Sequence, residues 1–234
     1  GGPLGAFYEL GALQALAECV EGFDPCDLYA YAGVSSGSML AAGLANGLTP
    51  VDIGRIIISN DSGQDSAHPG LFLQPAFGEY ARRLARLPRL AFDALAQYAR
   101  APLTQSLAEV LAPLSATLPA GFLESAPFER YLRRLYEGGG RTNDFRKLRR
   151  RLFVVATNLN TGEAARFGEP GLDHVPISRA VQASTALPGL YSPVEIGGET
   201  YADGALLRTM HASVLLEAGV DLVFGINPLV PFDA

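Results

Sequence analysis

Ser35 stands at the centre of Gly33-Val34-Ser35-Ser36-Gly37, with the apolar run Leu28 to Ala32 before it and the helix-like run Ser38 to Ala45 after it. Strand, G-x-S-x-G, helix is the context in which a serine becomes a nucleophile. A sharp strand-to-helix turn strains the serine backbone and lifts Oγ above the sheet. It also sets Oγ at a helix N-terminus, where the dipole favours developing negative charge. Gly33 and Gly37 are expected to flank the serine because a Cβ on either side would strike the neighbouring helix or strand. The pentapeptide is built of common residues, so a plain βα turn is the competing reading.

A nucleophile needs a base and donors for an oxyanion. The segment Gly1-Gly2-Pro3-Leu4-Gly5 runs into Ala6 to Val20, where Phe7, Leu10, Leu13, Leu16, Ala17 and Val20 recur at helical spacing. A glycine loop that opens a helix presents free backbone N–H groups, which suit an oxyanion. The segment is neither G-x-G-x-x-G nor a Walker loop, and an ordinary turn is its other reading. The base candidate is Asp203, in Tyr201-Ala202-Asp203-Gly204-Ala205. It follows a strand-like stretch, Val194 to Ile196, and a Gly197-Gly198 turn, and it precedes the helix-like run His211 to Ala218. An aspartate before glycine is most often a turn residue. Here it falls between strand and helix, at a sheet edge.

Together, and in this order, the glycine segment, the G-x-S-x-G serine and the D-G-A aspartate resemble the patatin-like phospholipase family, over essentially the whole chain. The resemblance implies Ser35 as nucleophile and Asp203 as its partner in a Ser-Asp dyad. It places the oxyanion among the backbone amides around Gly1, Gly2, Pro3 and Gly5; Pro3 itself has no N–H. Gly33, Ser36 and Gly37 complete the nucleophile elbow, and Gly204 completes the aspartate motif. The family loop usually carries Arg or Lys before its last glycine, where this chain has Leu4. Backbone donors survive that change; charge assistance does not.

The implied activity is serine lipid acyl hydrolysis through an acyl-serine, of the phospholipase A, lysophospholipase or esterase kind. An acyltransferase on the same dyad, or a catalytically silent lipid-binding module, is the alternative, the latter prompted by Leu4. The implied fold is a three-layer αβα arrangement with a mostly parallel central sheet and a helical insertion. The implied partners are a lipid or acyl ester and, peripherally, a membrane. No cofactor or metal is called for, since no His/Cys/carboxylate cluster has ligand spacing.

A dyad demands direct contact between carboxylate and hydroxyl. It also demands a carboxylate made more basic than usual, which an apolar, desolvated site provides. The triad alternative rests on His68, His174 and His211. Asp203 followed by His211 fits the α/β-hydrolase order of acid then His. But His211 lies only eight residues on and opens the next helix-like run, and only one helix and one strand precede Ser35. His174 approaches a helix with Pro176 in its first turn, and His68 precedes Pro69 in a polar loop. All three read as structural or surface residues.

The elements that must position these groups fit one catalytic domain over residues 1–234, 48% hydrophobic and 18% charged. No apolar stretch of about twenty residues is present to cross a membrane. The chain opens on Gly1 without methionine and reads as an excised domain whose family-type first strand would precede it. A soluble or peripheral membrane protein is expected, cytoplasmic in preference, with secretion left open. A net charge of −6 disfavours nucleic acid. The basic run Arg141, Arg146, Lys147, Arg149, Arg150, Arg151 reads as a solvated helix face, with an anionic headgroup contact as the alternative. Cys19 and Cys26 fit neither a redox pair nor a zinc site; Cys19 is expected in the core.

Residues 61–126 carry three leucine-striped segments, Pro75 to Arg86, Pro88 to Arg100 and Leu103 to Leu114. They are expected to cap the serine and line an acyl cavity, or else to form an ordinary helical layer. Leu152 to Asn158 and Glu163 to Phe167 read as strands about a Thr161-Gly162 turn, and Pro176 to Ser184 as a helix. Leu222 to Pro228 reads as a buried strand with a proline stop.

Overall fold

The structure, a computed structural model, describes residues 2–58 and 121–228. Most of the expected cap, up to residue 120, lies outside the described residues, as does Gly1. Along the chain come α1 (Gly2–Cys19), β1 (Ala30–Val34), α2 (Ser36–Ala45), α3 (Pro50–Ile58), β2 (Gly121–Leu123), α4 (Ala126–Glu137), β3 (Arg151–Asn158), β4 (Ala164–Phe167), α5 (Ile177–Ser184), β5 (Gly189–Tyr191), β6 (Val194–Ile196), β7 (Glu199–Asp203) and α6 (Ala212–Glu217).

β3 organises the fold. Its run Leu152-Phe153-Val154-Val155-Ala156 is fully buried on both faces, as strands covered on both sides are. Leu152, Val154 and Ala156 join the larger apolar core, with residues of α2, α4 and α5. Phe153 and Val155 turn to the other side, against Val214 of α6. Alternation of side chains along a strand thus makes three layers from one hydrophobic run.

The α/β class stands as expected, but the sheet is not mostly parallel among the described residues. Its order is β1-β3-β7-β6, with β4 also on β3. Only β1 and β3 run parallel within it. β4 and β7 pair with β3 antiparallel, and β6 pairs with β7 antiparallel. Two tight turns explain this. The short β3–β4 link contains Gly162 at φ 74°, and Gly197 and Gly198 at φ 63° and 86° close β6 onto β7. A short link between paired strands can only reverse the chain. A separate parallel pair joins β2 to β5.

Four further expectations are corrected. The glycine segment is not a loop before a helix: α1 already begins at Gly2, because proline is tolerated in a helix's first turn. The buried face of α1 is Gly5, Ala6, Glu9 and Leu10, with Phe7 and Cys19 exposed, so the stripe is rotated from the one read in the sequence. Residues Leu222 to Pro228 form no strand; Leu222 is 70% exposed. The basic run lies not on a helix face but around a single 3-10 turn, Phe145–Lys147, before β3.

Candidate active site

Ser35 occupies the point where β1 stops and α2 starts. Its φ of 54° makes it the only non-glycine residue at positive φ among the described residues. A bulky L-residue adopts that backbone only where its surroundings over-determine it. Here they do. Its N–H, beyond the last β1–β3 rung at Val34 and Val155, donates to the Ser184 hydroxyl at 2.9 Å. Its carbonyl accepts from the Ser38 hydroxyl at 2.6 Å and the Ser38 amide at 3.0 Å.

The two flanking glycines differ. A Cβ on Gly33 would lie 2.3 Å from the Gly37 carbonyl oxygen and 2.5 Å from Ser38 Cα, inside the backbone of α2. A Cβ on Gly37 would meet nothing nearer than a Glu9 carboxylate oxygen at 3.6 Å, an ordinary contact. The expected steric need for glycine therefore holds at Gly33 and fails at Gly37.

Asp203 ends β7 opposite Ala156 of β3. β4 occupies one edge of β3 along Val154–Thr157, so β1, which ends opposite Val155, and β7, which ends opposite Ala156, lie end to end along the other edge, and Ser35 and Asp203 stand where those two strand ends face each other. There their side chains meet: Ser35 Oγ donates to Asp203 Oδ2 at 2.7 Å. Asp203 Oδ1 accepts from the Ala205 amide at 2.9 Å. Its own amide donates to Ala186 O at 2.9 Å, and its carbonyl accepts from the Thr157 hydroxyl at 2.9 Å. Gly204 keeps this turn tight, because a Cβ there would stand 2.4 Å from the Val155 carbonyl oxygen. Burial raises the Asp203 carboxyl above the ordinary aspartate range; the Ala205 amide and Ser35 hydroxyl pull against it.

The oxyanion candidates converge from two helices. Ser36 and Gly37 open α2, and a helix's first amides have no intrahelical acceptor. Gly2, Pro3, Leu4 and Gly5 form the first turn of α1. Gly5 packs so close to the elbow that a Cβ on it would be 3.4 Å from Ser36 Oγ. Glu9, one turn on and 8% exposed, accepts from Ser36 Oγ at 3.3 Å, and burial pushes its carboxyl up to about 7.

The imidazoles lie elsewhere. His211 occupies the N-cap position of α6 without a side-chain capping bond and meets the backbone of Gly204 and Arg208, while both Asp203 oxygens are taken by Ser35 and Ala205. Burial lowers the His211 pKa. His174 is exposed in the approach to α5, and His68 lies outside the described residues. In the basic run Arg146 pairs with Asp144 and Arg150 with Asp27, at the end of β3 away from Asp203. A groove of about 170 Å³ follows the outer edge of β1, walled by Leu13, Leu16, Leu40 and Phe224; it reaches Gly33 and Gly37, but neither Ser35 nor Asp203 lines it.

Ser184, Thr157 and Glu9 escaped the sequence reading. Ser184 does carry a signal: it lies on the stripe Ile177, Ala180, Val181, Ser184, a polar residue in line with the core face of its helix.

Among solved structures the chain is similar to VipD from Legionella pneumophila, at 22% identity and a TM-score of 0.45, with 90% of this chain and 45% of that chain covered. This chain thus spans less than half of that protein's length. The family model described as Patatin-like phospholipase matches residues 1–216, a stretch that takes in the first turn of α1, the serine elbow and the aspartate turn. This chain belongs to the patatin-like phospholipase family.

Proposed function

We propose that this protein is a serine lipid acyl hydrolase that works through a Ser35–Asp203 dyad and an acyl-serine intermediate. The observation that carries the reading is the 2.7 Å hydrogen bond from Ser35 Oγ to a buried carboxylate, at a serine held in a strained elbow. Ser35 Oγ attacks the ester carbonyl carbon as its proton passes to Asp203 Oδ2. The tetrahedral oxyanion lies at the start of α2, within reach of the Ser36 amide and of the first turn of α1 around Gly2 and Gly5. Collapse breaks the ester bond, and the departing alcohol takes the proton from Asp203. Water then attacks the acyl-serine, Asp203 accepts its proton, and the second collapse returns that proton to Ser35 Oγ and releases the fatty acid.

Exposed apolar side chains near these elements suit a lipid surface. Leu4 (83% exposed) adjoins Gly5, Leu187 follows the Ala186 carbonyl bonded to Asp203, and Leu206 and Leu207 follow Gly204. Such a rim fits an acyl ester and a peripheral membrane contact better than a polar substrate.

The test pairs Ser35→Ala with Ser36→Ala. With a p-nitrophenyl acyl ester, Ser35→Ala is expected to abolish turnover in a folded protein, whereas Ser36→Ala retains it. A fluorophosphonate should label Ser35 in the unmodified protein. No turnover over a lipid panel and no label would leave the silent lipid-binding module; a label with acyl transfer to an alcohol exceeding hydrolysis would make it an acyltransferase.

A further inference from the structure

We infer that Ser184 is a positioning residue for the nucleophile: its hydroxyl bridges the Ser35 amide to the Val155 carbonyl and so holds the elbow in its reactive backbone conformation. The inference rests on the hydrolase reading and extends it to a residue outside the G-x-S-x-G and D-G-A motifs.

At Ser35 the chain leaves the β1–β3 ladder, whose last rung is Val34 opposite Val155. The Ser35 N–H and the Val155 carbonyl lie buried at this open end of the ladder, and a buried backbone group without a partner is costly. Ser184 serves both. Its Oγ accepts from the Ser35 N–H at 2.9 Å and donates to Val155 O at 2.6 Å. A hydroxyl has one donor and two acceptor sites, so a single Oγ can do this, and no aliphatic side chain can.

Two features make the bridge more than a filler. Ser184 is wholly buried, so water does not compete for either bond. It is also fixed from behind. It ends α5, whose Ser178 donates to Glu129 Oε1 at 2.8 Å and whose Gln182 donates to Ser125 Oγ at 2.9 Å, tying the helix to α4 and its N-cap. The bridge therefore connects the strained serine to a rigid helix pair. With the Ser35 N–H engaged, the oxyanion must draw on the Ser36 amide and on α1, and those amides keep their aim only while the Ser35 backbone keeps its φ of 54°.

The test compares the unmodified protein with Ser184→Ala, Ser184→Cys and Val181→Ala. Val181 is a second fully buried α5 residue, remote from the bridge chemistry. Three quantities are read: the second-order rate of fluorophosphonate labelling at Ser35, kcat and KM on a p-nitrophenyl ester, and the melting temperature. Ser184→Ala should cut the labelling rate and kcat at least tenfold with KM within twofold. Val181→Ala should lower the melting temperature while leaving the labelling rate of the folded protein within twofold. Ser184→Cys keeps the packing and weakens both bonds, so it carries the test should Ser184→Ala not fold, and should lose at least threefold. If the unmodified protein labels but Ser184→Ala or Ser184→Cys labels at an equal rate, the positioning role is overturned and the hydrolase reading stands. If Val181→Ala slows labelling as much as Ser184→Ala, α5 acts only through stability and the role is again overturned. If the unmodified protein neither labels nor turns over, the hydrolase reading falls and the positioning role falls with it.

Discussion

Replacing Glu9 by Gln isolates a destabilising charge beneath the elbow. Glu9 is 8% exposed, its carboxyl accepts one hydrogen bond from Ser36 at 3.3 Å, and burial lifts it from 4.5 to about 7. A raised folded-state pKa means that the folded protein holds the proton more tightly than the unfolded chain. Its stability contribution is fully present below about 4.5 and is lost as pH rises through about 7. At about 1.4 kcal/mol per unit, the loss reaches at most about 3 kcal/mol. Glutamine keeps the shape and cannot ionise, so the variant should escape that loss. Urea unfolding of both proteins from pH 4.5 to 8.5 measures it. The stability difference, variant minus unmodified protein, should grow across the window and reach up to about 3 kcal/mol at the alkaline end, a shift of roughly 6–12 °C in melting temperature for a chain of this size. Asp203, also raised by burial, contributes a fall of the same sign in both proteins and cancels in the difference. A difference that stays flat over the whole range would refute the argument, because it would mean that Glu9 titrates alike in the folded and unfolded states.

Three further outcomes follow from the same geometry. Asp203→Asn should cost several powers of ten in kcat, whereas His174→Ala and His211→Ala stay within about tenfold, since losing a general base is far costlier than losing an imidazole outside the dyad. The unmodified enzyme should also gain activity as pH rises through the burial-raised pKa of Asp203, with its acid limb above the ordinary aspartate range, readable from a kcat/KM profile. Gly33→Ala should cost at least about 2 kcal/mol in urea unfolding because its methyl enters the backbone of α2, while Gly37→Ala, with only ordinary contacts, should stay within about 1 kcal/mol.

The legible parts of this chain are those where local chemistry decides the outcome. The β6–β7 hairpin is one: Val194–Ile196 forms a strand with the bounds read from the sequence, because two consecutive glycines at positive φ permit only a reversal there. The elbow is another, since its strand-glycine-serine-helix order leaves few conformations. The sheet's hydrogen-bonding sense was also written in those turns. The short β3–β4 and β6–β7 links dictate antiparallel pairing, and the expectation of a mostly parallel sheet came from the family resemblance rather than from them. The run Leu222 to Asn227 fails for the opposite reason. Apolar content makes a strand only where a neighbouring ladder is there to be joined, and that is a property of the partner, not of the run.

The site divides along the same line. Ser35 and Asp203 could be named because each sits in a motif, but the contact between them joins the ends of two strands across 168 positions of sequence. What allows the contact is that β1 and β7 end on the same edge of β3, opposite the adjacent residues Val155 and Ala156. The residues that escaped notice, Ser184, Thr157 and Glu9, belong to no motif. All three are buried, and each makes a hydrogen bond to an atom of the elbow or of the aspartate. Burying such groups without partners is costly, so a polar residue in line with the core stripe of a helix asks what it bonds. At Ser184 the answer is the backbone of the nucleophile, which makes the reactivity of Ser35 depend on a helix 149 residues further along the chain.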